Sequence, residues 1–320
     1  VTARVQREHP IVAVVGATAT GKSDLALELA ERLGGEVVNA DAMQLYRGMD
    51  IGTAKLPVAQ RRGIPHHQLD VLDVTDEASV AAYQSAARAD FAAIRARGRG
   101  PVLVGGSGLY VRAALDQLLI PPTDPAVRRR LEAEATQAGE GAMHARLRER
   151  DPEAADRILP SNTRRIVRAL EVIELTGQPF SASLPTRELH HPAVQLGLRL
   201  DRQELDDRIG RRVDHMWEGG LLRETERLLS LGLRQGFTAS RAIGYSQAIA
   251  VLDGRATEGQ ARADTAQATR RYARRQESWF RADPRIQWLQ ADSPRLVDEA
   301  LAAVRQAGVA NGPDGIPENG

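Results

Sequence analysis

Cysteine is absent from the 320 residues. That excludes disulfides, thiolate metal sites, iron–sulfur clusters and thiol catalysis together, and it suits a reducing cytoplasm. Long hydrophobic runs are missing as well: nothing approaches the ~20 apolar residues that span a bilayer. The opening stretch, Val1 to Pro10, has no apolar segment of the kind a secretory signal needs, so a cytoplasmic location and no membrane partner are expected. Net charge is scarce too, with 43 Lys+Arg against 42 Asp+Glu, a formal +1. Lysine itself is almost missing: of the 43 basic residues 41 are Arg, and the only lysines are Lys22 and Lys55. GC-rich coding accounts for the arginine bias, but not for why lysine stands at those two positions.

What is present reads as an α/β protein large enough for one big domain or two modest ones, at roughly 150 residues per domain. Ile11–Val15 is a short β-branched run ended by glycine, hence a buried strand. Helical spacing follows over Ser23–Leu33, a second strand over Glu36–Ala40, a third over Gln68–Leu72, and a long helix over Ser79–Ala96. Pro101–Val104 is another buried strand. Strands alternating with helices predict a parallel sheet wound with helices. The character changes at Pro121-Pro122-Thr123-Asp124-Pro125, after which only helical patterns appear up to about Gly177: 126–138, 141–150, 152–158 and 163–176. Residues 179–192 are irregular, 195–200 return to a strand, helices follow over 202–217 and 221–229, and a last strand is expected at 286–289. Strands on both sides of a helical stretch predict an insertion, placed at 123–193, within a core of 1–122 and 194–310. The Gly/Pro-rich 311–320 is expected to be disordered.

Gly16-Ala17-Thr18-Ala19-Thr20-Gly21-Lys22-Ser23 matches a P-loop, with a buried strand before it and a helix after it. Its glycines let backbone N–H groups turn toward an anionic oxygen cluster, and the helix N-terminus adds its dipole. Lys22 supplies a slim, mobile charge where a planar guanidinium would not fit, and Ser23 a hydroxyl for Mg²⁺. In a nucleotide hydrolase a later strand would end in an acidic residue for the metal. Here Val102–Val104 ends in Gly105-Gly106-Ser107. An Asn-Lys-x-Asp guanine motif is absent too, so a GTPase switch is excluded.

The run Asn39–Lys55 is long and polar for a connecting loop. It places Asp41 at the carboxyl end of the second strand, the edge where open α/β sheets bind ligands. A carboxylate there reads equally as a general base or as the cap of a following helix.

At this point the chain resembles the tRNA dimethylallyltransferase, or tRNA isopentenyltransferase, family. The matching pieces are Gly16–Ser23, Asp41–Lys55, Gly63-Ile64-Pro65-His66-His67, Leu103–Tyr110 and Arg164–Glu171, then Arg208-Ile209 with Arg212 and Met216, Ala242–Gln247 and Thr269–Arg281. They run in order over about residues 10 to 295, and the stretch Tyr46–Lys55 is very specific. The resemblance implies a P-loop NTPase-like core and transfer of a dimethylallyl group from dimethylallyl diphosphate to N6 of adenine 37. The substrates would be tRNAs reading codons that begin with U, the products N6-dimethylallyladenosine and diphosphate. It implies that Gly16–Ser23 hold the diphosphate with Mg²⁺ on Ser23. Asp41 matches the general base, Ser107 a position usually Thr near the bridging oxygen, and Arg212 a diphosphate clamp, with Arg208 a weaker candidate. Asp41, Ala42, Met43, Gln44 and Ser107 would line the adenine's route. Arg128, Arg164, Arg165, Ile166, Val167 and Arg168 of the insertion, with Gly244, Tyr245 and Gln247, fall on tRNA-contact motifs for the anticodon stem-loop. A monomer of bacterial type is expected, since the zinc extension of eukaryotic relatives needs cysteine. Departures are Ala17 for the usual Pro, Thr20 for the usual Ser, and Ala42 where Ser commonly follows the base.

A near-neutral total does not exclude RNA, which senses local charge. Residues 261–285 hold seven Arg against three acids. Phosphate contact and a solvated or ion-paired face both fit those arginines, while Tyr272 and Trp279 share a helical face and read as core packing. A P-loop small-molecule kinase, a non-catalytic RNA-binding protein and an adenylate isopentenyltransferase are the alternatives. The arginine-bearing insertion argues against the last, since a free nucleotide needs no such grip.

Overall fold

The computed structural model describes residues 10–183 and 187–310. The tail 311–320, expected to be disordered, lies outside the described residues, as do 184–186 of the irregular stretch. Two compact units emerge, one formed by the flanking chain and one by Asp116–Glu188. The second ends before 193, because Ala193 already belongs to a strand of the sheet.

The first unit is built on strands β1 (Ile11–Gly16), β2 (Glu36–Asn39), β3 (His66–His67), β4 (Pro101–Gly105), β5 (Ala193–Arg199) and β6 (Ile286–Gln290). Their order is β3-β2-β4-β1-β5-β6, and every pairing is parallel. β1 is buried along its whole length, as its unbroken β-branched run requires of a strand covered on both faces. Register brings the carboxyl ends together: Asn39 lies opposite Val104 and Val15 opposite Gly105. The P-loop, Asp41 and Ser107 therefore follow neighbouring strand ends. No strand runs over Gln68–Leu72. Gln68 and Asp70 both have φ of 57°, which a strand does not accommodate, and Leu72 makes only an isolated bridge to Tyr46.

Helices α1 (Lys22–Leu33), α2 (Val80–Ala96) and α3 (Gly108–Leu115) belong to this unit. α1 turns Leu25, Ala26, Leu29 and Ala30 inward, and Ser79 caps α2 by accepting the Ala82 N–H. α4 (Pro125–Ala138), α5 (Glu140–Arg150), α6 (Pro152–Arg157) and α7 (Thr163–Thr176) make the second unit, around a core that includes Leu131, Leu147, Ile166 and Leu170. The first unit resumes with α8 (Arg202–Glu218), α9 (Leu221–Ser230), α10 (Tyr245–Leu252), α11 (Glu258–Arg281) and α12 (Leu296–Ala310). Among the described residues no helix is long and apolar enough to cross a membrane.

Candidate functional site

Gly21, at φ 85°, caps α1 in a left-handed conformation that glycine adopts without strain. The first turn of α1 leaves its N–H groups without helical partners and aims the positive end of the dipole at the loop. Two groups in the cradle have partners within the protein. Buried Thr20 donates its hydroxyl to the Ala17 carbonyl at 2.8 Å, bracing the loop from inside. The Thr18 N–H donates to Gln276 Oε1 at 2.9 Å. Ala17 packs with Leu205, Ile209 and Ala273, which needs no proline ring. Lys22 donates to the Ala17 carbonyl, and Ser23 lies exposed in the first turn.

Asp41 is held by its neighbours. Asn39 accepts the Asp41 N–H at 2.9 Å and donates to the Asp41 carbonyl at 3.0 Å. Asp41 Oδ1 in turn accepts the Met43 N–H at 2.9 Å. This is an Asx turn, with no helix for Asp41 to cap. Ser107 Oγ accepts the Ala42 N–H at 3.2 Å, while the Ser107 N–H donates to the Ala40 carbonyl at 3.3 Å. Gly105 permits this approach, since a Cβ there would stand 2.3 Å from the Ala40 carbonyl oxygen.

Lys22, Arg212 and Asp41 form one charged group. Burial, then the Arg212 guanidinium, push the Lys22 ammonium down to about 7, with Asp41 pulling it back up. Burial likewise lowers Arg212, and Asp41 again opposes it. Burial and then the Asp41 charge push the Tyr272 phenol up to about 12, so it stays protonated beside Ser107. Arg208 takes no part in this group: it ion-pairs with Glu204 at 2.7 Å, one turn away.

The polar run after Asp41 is stapled by two buried polar side chains, Lys55 and Glu224. Lys55, with its side chain 3% exposed, donates to the Tyr46 carbonyl at 2.8 Å, Asp50 Oδ1 at 2.7 Å and Asp70 Oδ1 at 2.6 Å. All three ammonium protons are used. Glu224 accepts the consecutive N–H groups of Asp50, Ile51 and Gly52 at 2.9 to 3.2 Å, and the Tyr245 hydroxyl at 2.6 Å. The Thr53 carbonyl then accepts from both Gln44 (3.2 Å) and Arg212 (3.1 Å). Lys55 is thus structural. Lys55→Met is expected to cost about 2 kcal/mol, because Asp50 and Asp70 are half exposed and water takes over part of the ammonium's role. A thermal melt should show a Tm lower by roughly 5 °C. An unchanged Tm would contradict this role.

Gln276, Glu224, Asn39 and Tyr272 escape sequence reasoning. Gln276 bridges the P-loop to the Ser107 loop, since its Nε2 also donates to the Gly106 carbonyl at 2.9 Å. Its one signal is position: Ala273, Gln276 and Phe280 share the buried face of α11.

The expected tRNA-contact residues divide. Arg164 and Arg165 are exposed at the start of α7, and among the described residues no carboxylate pairs with either. Ile166 and Val167 are instead sealed in the core of the second unit, because helical spacing turns them inward. Arg128 and Arg168 both pair with Glu171, which is fully buried, at 2.7 and 2.9 Å. Burial alone would raise the Glu171 pKa, but the two guanidiniums and the Asp124 N–H hold it below the usual carboxylate value. Tyr245 is also buried, its hydroxyl spent on Glu224. Gln247 accepts the Gly244 N–H at 2.8 Å, and Gly244 is buried. On α11, Trp279 is 47% exposed, which overturns its assignment to the core.

Residues 44–283 match the family model described as IPP transferase. A tRNA dimethylallyltransferase of Nocardioides sp. is 62% identical over 296 residues, covering 92% of this chain and 96% of that one. The enzyme of the same name from Thermobifida fusca is 60% identical over 299 residues, covering 92% and 94%. The crystal structure of the full-length tRNA isopentenylpyrophosphate transferase of Bacillus halodurans is 39% identical, with a TM-score of 0.68 over 94% of this chain and 98% of that one. A eukaryotic dimethylallyltransferase acting on tRNA aligns with a TM-score of 0.80 at 25% identity, over 95% and 80%. The phosphate cradle at the edge of a parallel sheet is thus that of a P-loop-like transferase, and the chain belongs to the IPP transferase family of tRNA dimethylallyltransferases.

Proposed function

We propose that this chain, as a cytoplasmic monomer, transfers the dimethylallyl group of dimethylallyl diphosphate to N6 of adenine 37 in tRNAs that read codons beginning with U. The observation that carries the reading is the convergence of Asp41 with Lys22 and Arg212 at the cradle. The N6 lone pair attacks C1 of the dimethylallyl group as the C1–O bond breaks. The bonding electrons leave on the diphosphate oxygen, and Asp41 takes the N6 proton. An exocyclic amine conjugated with its ring is a poor nucleophile, so orientation and local proton acceptance are where the protein contributes. Lys22, Arg212 and the first-turn N–H groups of α1 stabilise charge as it builds on the leaving group.

Among the described residues no cluster of three or more acidic or histidine side chains is placed to hold a metal ion. The donor set fits Mg²⁺ that travels with the diphosphate, because Mg²⁺ favours oxygen ligands and keeps several waters. Ser23 would contribute its hydroxyl, and the bound ion would neutralise diphosphate charge. Incubating the protein with labelled dimethylallyl diphosphate, Mg²⁺ and an anticodon stem-loop carrying A36-A37-A38 should label A37. No transfer, or ATP consumption in its place, would overturn the proposal.

The Lys22 value adds a pH dependence. As pH rises through about 7 the free cradle loses the Lys22 proton, whereas a bound diphosphate holds it on. The complex then carries more protons than the free protein, so affinity falls with rising pH by up to about tenfold per unit. Calorimetry of inorganic diphosphate in buffers of different ionisation heat should show proton uptake at pH 8. A Lys22→Gln variant, which has no titrating group at this position, should show the ligand's own titration alone. Equal uptake by both proteins would remove Lys22 from this role.

A further inference from the structure

Buried Glu224 on α9 takes its hydrogen bonds from neutral donors, the N–H groups of Asp50, Ile51 and Gly52 and the Tyr245 hydroxyl. Moving a carboxylate out of water is costly even when such donors meet it. What only a carboxylate supplies here is geometry, because both of its oxygens accept and neither donates. A glutamine would aim its own NH2 at the row of N–H groups.

Gly52 is held from a second side. The Tyr245 ring lies so close that a Cβ on Gly52 would stand 2.4 Å from Tyr245 Cε2. Burial and then the Glu224 charge push the Tyr245 phenol far above its usual range, so it stays a donor to that carboxylate. Glu224 and Tyr245 thus fix Gly52 by its N–H and by its Cα.

The next residue is Thr53. Its hydroxyl donates back to the Met49 carbonyl at 2.6 Å, and the Ala54 N–H donates to the Ile51 carbonyl at 3.0 Å. With the chain pinned on both sides, the direction of the Thr53 carbonyl is set, and Arg212 donates to it at 3.1 Å. That bond joins residues 159 apart in sequence. Asp41 is the carboxylate that acts on Arg212 by charge, so Glu224 reaches the guanidinium only through the backbone. A free arginine side chain samples many rotamers, and a fixed acceptor removes much of that freedom before a ligand arrives. Donors ordered in advance are the ones that best stabilise charge building on a leaving group.

Resting on the transfer reading above, we propose that Glu224 is a positioning residue for the reaction. Through the N–H groups of residues 50–52 and the Tyr245 ring it sets the Thr53 carbonyl, which aims Arg212 at the diphosphate. Tyr245, as the second half of the clamp on Gly52, acts at the same end of the reaction.

The test is a double-substitution cycle read on inorganic diphosphate by calorimetry. Glu224→Gln should weaken diphosphate binding about tenfold when Arg212 is present, and by less than about twofold when Arg212 is already alanine. Transfer to an anticodon stem-loop should follow the same pattern in kcat, with KM for RNA within about twofold throughout. Tyr245→Phe leaves the three N–H bonds in place and should show the same dependence on Arg212 at about threefold. It decides the matter if Glu224→Gln does not fold. Equal losses in the two Arg212 backgrounds would overturn the proposal, since Glu224 would then support the fold alone. So would an unchanged diphosphate affinity in Glu224→Gln. If the wild-type protein bound diphosphate and transferred nothing, the functional reading would fall, while the binding cycle would still judge the tie to Arg212.

Discussion

Asp41→Asn should retain the fold and lose transfer, with kcat reduced by about 10²- to 10⁴-fold, the usual contribution of a general base. Asparagine keeps an oxygen for the Met43 N–H and leaves the Asn39 bonds to the Asp41 backbone intact, so the turn survives the substitution. The amide cannot accept the N6 proton. Its effect on the diphosphate should run the other way. The Asp41 charge lies near Lys22 and Arg212 and competes with the ligand for both. Dimethylallyl diphosphate should therefore bind Asp41→Asn as tightly as wild type or more tightly. Single-turnover transfer and equilibrium binding, measured on one preparation, separate the two effects. A variant that keeps more than a tenth of the wild-type rate would remove Asp41 as the base.

Arg212→Ala should lower transfer by about 10²- to 10³-fold, the cost of removing one preorganised donor from a site of developing negative charge. Arg212→Lys should recover only part of this, since an ammonium cannot present two parallel donors. A structural cost also exists, because the Thr53 carbonyl loses one of its two donors but keeps Gln44. A second signature separates the clamp from this. Arg212 lowers the Lys22 pKa, so its removal should raise that pKa and move the pH above which diphosphate affinity falls to a value higher than about 7. Loss of transfer without that displacement would assign Arg212 to the loop alone.

The cradle was legible because every group it uses lies within eight consecutive residues between a strand and a helix. Asp41 was legible only as a position, the carboxyl end of a strand, and its role as a cap stayed open until the Asx turn excluded it. The residues expected to contact RNA were read least well. Motif resemblance treats a helix segment as one object, whereas α7 turns Ile166 and Val167 into the core and leaves Arg164 and Arg165 outside. Trp279 shows the reverse error: a shared helical face implied burial, yet the indole lies against Gly108 and stays 47% exposed.

The composition that seemed only deficient now divides cleanly. Local order along the chain was enough to specify a parallel α/β core, a P-loop whose lysine could not be arginine, and a family. Those properties depend on residues adjacent in sequence and on hydrophobic periodicity. Only the folded chain decided what Lys55 does, since Asp50, Asp70 and Tyr46 become its partners when two loops close on it. The same holds for Gln276, whose two bonds reach across 258 and 170 residues. It holds too for which arginines stay free for phosphate, because a carboxylate that neutralises one, such as Glu171 for Arg128, is brought there by helix packing and not by spacing.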